Sequence, residues 1–101
     1  MIKVLIKREE KEFKSLEIKG HANSAEYGKD LVCAAVSSVL TGGFNNLKNP
    51  ESFELKLDEG YALAKAIKEV SSHDEVVMET IIAGLRTIEE SNPDFITIKN
   101  F

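Results

Sequence analysis

Apolar and polar positions alternate at the start of the chain. In residues 1–7, Ile2, Val4 and Ile6 share one face, the period-two pattern of a half-buried strand. The charged run Arg8-Glu9-Glu10-Lys11-Glu12 reads as a solvated hairpin connection, and residues 15–19 as a second strand with Leu16 and Ile18 inward. From Asp30 the period changes. Leu31, Val32, Ala35, Val36, Val39 and Leu40 cover much of a helix circumference, which predicts a central helix. Ala34, Ala35, Ser37 and Ser38 are small enough for a neighbouring backbone to come close. Gly42 and Gly43 could end that helix. Leu40, Phe44 and Leu47 nevertheless keep the helical spacing, so the helix is expected to run to about Leu47, at about 1 kcal/mol per glycine. Pro50 then breaks it.

Alternation returns in residues 52–58, with Phe53, Leu55 and Leu57 inward, and Asp58-Glu59-Gly60 signals a hairpin. Residues 61–70 fit a strand or a short helix; the preceding hairpin signal favours a strand. Ser72-His73-Asp74-Glu75 has the spacing of a capping box, Ser followed three residues later by Glu. Val77, Ile81, Leu85 and Ile88 follow on one helical stripe, widened by Met78 and Ile82. Asn92-Pro93-Asp94 stops this second helix, and residues 95–99 form a last strand with Ile96 and Ile98 on one face. The predicted order is ββαββαβ, an α+β fold with two helices packed on a mostly antiparallel sheet. At 101 residues it is expected to form a single domain, 1–101.

Composition changes this picture little. The chain is 43% hydrophobic and 30% charged, as in ordinary globular proteins. The net charge of −4 argues against direct nucleic-acid binding, which calls for a basic face, and is compatible with a basic substrate. No run approaches the roughly 18 apolar residues of a membrane span, and residues 1–7 lack the apolar core of a secretion signal. A single cysteine excludes an intrachain disulfide and fits a reducing cytosol, so a cytoplasmic location is expected.

That cysteine is the chemistry the pattern singles out. Between Gly20 and Asp30 lies a short polar segment that breaks both periodicities. Asp30 has the character of a helix N-cap, its carboxylate accepting free N–H groups of the first turn. Counted from that cap, Cys33 falls at the third helical position, where the helix dipole favours a thiolate. His21 stands just past a strand end, and an imidazole there could take the thiol proton. Backbone N–H groups of the helix start, that of Cys33 included, are candidate donors to an oxyanion. The competing reading makes Cys33 a small apolar filler among Leu31, Val32, Ala34, Ala35 and Val36.

Gly20-His21-Ala22, followed by Gly28-Lys29-Asp30-Leu31-Val32-Cys33-Ala34-Ala35-Val36-Ser37, resembles the signature of the ribosomal-processing cysteine proteases. These small bacterial enzymes remove an N-terminal extension from large-subunit ribosomal protein twenty-seven. The resemblance extends over the whole chain. It implies a cysteine endopeptidase with Cys33 as nucleophile and His21 as general base. It also implies a substrate with an apolar, aromatic-containing extension followed by a small residue, and a homodimer. The segment Ala22, Asn23, Ser24, Ala25, Glu26, Tyr27 and Gly28 is then a substrate loop. Residues Ala22 to Lys29, polar and set between Gly20 and Gly28, are predicted to be mobile without substrate and to close on binding. Asp30 has two available roles, helix cap or orienting partner of His21.

Other chemistry is poorly supported. One Cys and two separated His residues lack metal-ligand spacing, so no metal and no cofactor are expected. Gly42-Gly43 lacks the Lys-Ser/Thr of a phosphate loop, and His73 beside Asp74 and Glu75 reads as a solvated position. The alternative function is a non-enzymatic, ribosome-associated binding module in which the loop recognises a partner and Cys33 only fills the core.

Overall fold

The computed structural model describes residues 1–20 and 27–101, of which 27–30 as backbone only. The elements follow the predicted order: β1 (Ile2–Glu9), β2 (Glu12–Lys19), α1 (Tyr27–Asn45), a 3₁₀ turn (Pro50–Ser52), β3 (Phe53–Asp58), β4 (Tyr61–Ala66), α2 (Ser72–Ser91) and β5 (Ile96–Asn100). The strands form one five-stranded sheet in the order β3-β4-β2-β1-β5. Three pairings are antiparallel, and β5 runs parallel to β1.

The alternating apolar residues decide which face the helices cover. Ile2, Val4, Ile6, Leu16, Ile18 and Ile96 are all buried, together with Val32, Val36 and Leu40 of α1 and Val77, Met78, Ile81, Ile82 and Leu85 of α2. These residues belong to one continuous hydrophobic cluster between sheet and helices. The two helices touch where glycines remove side chains. A Cβ on Gly43 would collide with the Cγ1 and Cδ1 atoms of Ile81, and one on Gly84 would press on Val39 Cγ1 at 3.1 Å. The close approach therefore falls at Gly43 and Gly84, not along Ala34, Ser37 and Ser38, which face outward and are exposed.

Tertiary contacts also shift several element boundaries. The charged run is mostly strand: Arg8 and Glu9 extend β1 and Glu12 opens β2. Only Glu10 and Lys11 form the turn, both with positive φ (50° and 72°), as a two-residue hairpin with the sheet's twist requires. The register shifts after Lys7, and this bulge turns Phe13 fully into the core. The Phe13 N–H donates to both carboxylate oxygens of Glu75 (3.1 and 3.2 Å). Glu75 is thereby withdrawn from the expected capping box. The N-cap of α2 is Ser71, whose Oγ accepts from the Asp74 N–H at 3.3 Å. β4 ends at Ala66, earlier than the strand expected to reach residue 70.

The largest correction is at the start of α1. The helix begins at Tyr27, so Asp30 is its fourth residue and not its cap. Lys29 is a good helix former, and a glycine at position 28 costs only about 1 kcal/mol, so the helix extends back into the polar segment as far as Tyr27. Tyr27 and Gly28 accordingly belong to the helix and not to a loop.

Candidate active site

The two ends of the sandwich are fixed by different contacts. At one end Asp74, fully buried, accepts the backbone N–H groups of Lys48 and Asn49 at 2.9 Å each. This holds the C-terminal end of α1 and the approach to β3 against the start of α2. The rings of Phe13 and Phe53 meet at the same end, 6.1 Å apart.

At the opposite end, the Gly20 N–H donates to the Gly60 carbonyl at 3.0 Å. The end of β2 is thereby tied to the turn between β3 and β4. Gly20 has φ of +104°, and a Cβ there would strike the Met1 carbonyl oxygen. Only glycine fits this position, which is where the chain leaves the sheet for residue 21. Beside it, the Tyr61 hydroxyl donates to Glu17 Oε2 at 2.7 Å, and Lys19 Nζ lies 3.5 Å from Glu17 Oε1. The hydrogen bond to the carboxylate raises the Tyr61 phenol above its usual range, with burial and the Glu17 charge acting in the same direction.

Because α1 starts seven positions after Gly20, its N-terminal turns stand at this end, and Cys33 with them. Cys33 is half-buried, packed against the core cluster without being enclosed by it. As the seventh residue of α1, it lies in the second turn. Among the described residues the free amides of the helix start therefore belong to residues 27–29, and the Cys33 N–H is committed to the helical ladder. That removes it from the expected oxyanion donors. The dipole effect, which fades after the first turn, also counts for less at Cys33 than a start at Asp30 would give.

His21 and Ala22 to Glu26 of the predicted loop lie outside the described residues, as do their expected pairing with Cys33 and their expected motion. Tyr27, Gly28 and Asp30 occupy the first turn of α1. The sequence reading missed the contribution of the Gly60 turn to this end of the molecule. Its hairpin signal is plain, but the neighbour it meets depends on strand order. His73 stands at the other end, its Nε2 3.0 Å from the Asn46 carbonyl oxygen and 3.9 Å from Asp74 Oδ1. Among the described residues, no three His, Cys, Asp or Glu residues are grouped so as to hold a metal ion, and no helix is long and apolar enough to cross a membrane.

Comparison with known proteins places this arrangement. The family described as cysteine protease Prp matches residues 1–97. The ribosomal processing cysteine protease Prp of Bacillus subtilis is 35% identical, over 93% of this chain and 92% of its own length. Two solved structures of the ribosomal processing protease Prp from S. aureus superpose over all of both chains with a TM-score of 0.86. One, 27% identical, carries a covalently linked product peptide; the other, 26% identical, carries a substrate peptide. The chain is thus a member of the cysteine protease Prp family, hydrolases that act on peptide bonds.

Proposed function

We propose that this protein trims an N-terminal extension from a ribosomal protein, with Cys33 as nucleophile and His21 as general base. The observation that carries this reading is the only cysteine of the chain, half-buried in α1 at the Gly20 end of the sheet, in a member of a cysteine protease family. Relatives named for ribosomal processing supply the substrate class. In the reaction, His21 accepts the thiol proton as Cys33 Sγ attacks the scissile carbonyl carbon. The tetrahedral oxyanion collapses to a thioester, and the amine leaves with the proton from His21. Water, deprotonated by His21, then attacks the thioester and releases the cut-off extension as a carboxylic acid, and His21 returns its proton to the departing Cys33 thiolate. The shortened ribosomal protein is the amine released in the first step. Free amides of residues 27–29 are the helix donors still available to the oxyanion.

With the cap reading of Asp30 withdrawn, its orienting role is the one we retain. Positions 30 and 33 are one helical turn apart on α1, so the two positions lie on one face of the helix. Ala22, Asn23, Ser24, Ala25, Glu26, Tyr27 and Gly28 form the substrate-contacting segment. The enzyme works in the cytoplasm as a single-domain homodimer and recognises a protein chain, not RNA. In support of a dimer, α1 carries no charged residue from Leu31 to its end at Asn45. Its outward Ser38 and Gly42 line a cleft with Val76 and Thr80 of α2, and Val76 is 66% exposed.

The test is cleavage of a peptide spanning a ribosomal-protein extension. Cys33→Ala should abolish turnover while keeping the thermal melt. His21→Ala should cut turnover by orders of magnitude and slow alkylation of Cys33 at neutral pH. Asp30→Asn should lower turnover at least tenfold while binding of the peptide is retained. Appreciable cleavage by Cys33→Ala, or slow alkylation of Cys33 in the wild type, would return the protein to the binding-module reading.

A further inference from the structure

We propose that the free edge of β3 binds the substrate main chain as an added strand, and that the segment bound there is basic. The inference rests on the protease reading above and extends it to a surface remote from the thiol chemistry. β3 is a terminal strand of the sheet, and among the described residues nothing pairs with its outer side.

The direction of its main-chain groups follows from one hydrogen bond. The Ile67 N–H donates to the Ser52 carbonyl at 2.9 Å, and Phe53 is opposite Ala66, so Ser52 and Ile67 form a hydrogen-bonded pair. In an antiparallel ladder such pairs alternate. Glu54, Lys56 and Asp58 therefore bond to β4, and Leu55 and Leu57 turn their N–H and C=O groups outward. A two-residue turn closing on Asp58 and Tyr61 requires the same phase.

The other edge of the sheet is treated differently. The Ile98 N–H of β5 donates to Glu89 Oε2 at 2.7 Å, so a carboxylate from α2 blocks that edge. β3 has no such cover. Its helix-side residue Leu57 remains 49% exposed, although the same face holds Phe53 buried and Leu55 half-buried. An uncovered leucine beside outward main-chain groups is what strand addition uses, the backbone giving affinity and a side-chain contact giving register. The strand also runs the right way. Its far end, at Asp58, meets the Gly60 turn that holds Gly20, immediately before His21 and at the Cys33 end of α1. An extended chain laid along β3 is delivered to the catalytic segment.

Charge indicates what kind of chain. Along this edge Glu51, Glu54, Asp58 and Glu59 are exposed against two lysines, Lys56, which lies 3.6 Å from Glu54, and Lys65, opposite Glu54 on β4, so acidic groups predominate. A segment rich in Lys and Arg complements that edge.

Two measurements test the proposal. First, peptide substrates are N-methylated one residue at a time. KM should rise about tenfold at alternate positions, with little change at the positions between and with kcat retained. Second, Leu57→Pro removes one outward N–H at an edge site where proline is tolerated, and Asp58→Lys reverses a charge without touching the ladder. Both should raise KM for a basic peptide severalfold, with Cys33 alkylation unchanged, and Asp58→Lys should leave a neutral peptide unaffected. A flat N-methyl scan, or unchanged KM in both variants, overturns strand addition. A change in sedimenting mass instead of KM would assign the edge to a second copy of the chain, and that outcome also overturns the proposal. Failure of the protease reading is distinct: Cys33→Ala would still cleave.

Discussion

Asp74 is a buried polar side chain that ties two separate segments of the chain together. Both carboxylate oxygens are committed to backbone N–H groups across a tertiary gap, from a site with no solvent exposure. Asp74→Ala removes the partner of two part-buried amides, those of Lys48 and Asn49, and should cost about 2 kcal/mol, since a stranded buried donor costs about 1–3 kcal/mol and these can partly turn to water. Asp74→Asn, whose amide offers a single acceptor oxygen, should lie between. Urea unfolding monitored by circular dichroism checks both, with the slope held constant. The sequence motif pointed to this turn for a different reason. Ser72 and Glu75 have the spacing of a capping box, yet Ser71 and Asp74 have the same spacing one residue earlier. Local rules cannot choose between them. The choice is made by Phe13, whose amide at the β-bulge takes the Glu75 carboxylate from across the core.

Among the elements, α1 was partly legible and partly hidden. Its length through Gly42 and Gly43 follows from the continued spacing of Leu40, Phe44 and Leu47, and the helix does run through both glycines to Asn45. Its start was misplaced because Asp30 has every local property of a cap and residues 27–29 show no hydrophobic period. The two glycines, adjacent in sequence, make opposite predictions. A Cβ at Gly42 meets nothing within 4 Å, so Gly42→Ala should stabilise the protein by about 1 kcal/mol through helix propensity. A Cβ at Gly43 is driven into the side chain of the buried Ile81, so Gly43→Ala should destabilise by about 1–3 kcal/mol. Parallel thermal melts of the two variants decide it; equal shifts would mean that the helices separate freely at this crossing. For the site the division is similar. Cys33 stands out from its residue type and surroundings alone, whereas its place in the second turn depended on a helix start that no local signal marks.

For the whole molecule, the period of the apolar positions was sufficient to order the elements but not to arrange the strands. Alternation at Ile96 and Ile98 reads the same for a parallel or an antiparallel neighbour. That β5 lies beside β1 and parallel to it follows from the crossover through both helices, a long-range property. The negative charge gave an average. The acidic edge of β3 is a local feature that becomes visible only when strand order shows which strand is left unpaired.

The pairing of β5 with β1 also has a consequence for how quickly the chain finds this structure. Ile2 and Ile96 are direct partners, so joining them closes a loop of almost the whole chain, while β1 and β2 meet across a two-residue turn. Closure entropy grows only logarithmically with length, by about 0.6 kcal/mol per doubling, but it must be met before the contact returns anything. The early nucleus is then expected to hold the β1–β2 hairpin and a helix packed on it, with β5 docking after the rate-limiting step. Ile96→Val, worth about 1 kcal/mol at equilibrium, should speed unfolding severalfold and leave the refolding rate nearly unchanged. Leu16→Ala should slow refolding. Stopped-flow chevrons of the two variants separate these limbs. A refolding limb slowed as much by Ile96→Val as by Leu16→Ala would place the closing strand inside the nucleus, and the molecule would then assemble its ends before its middle.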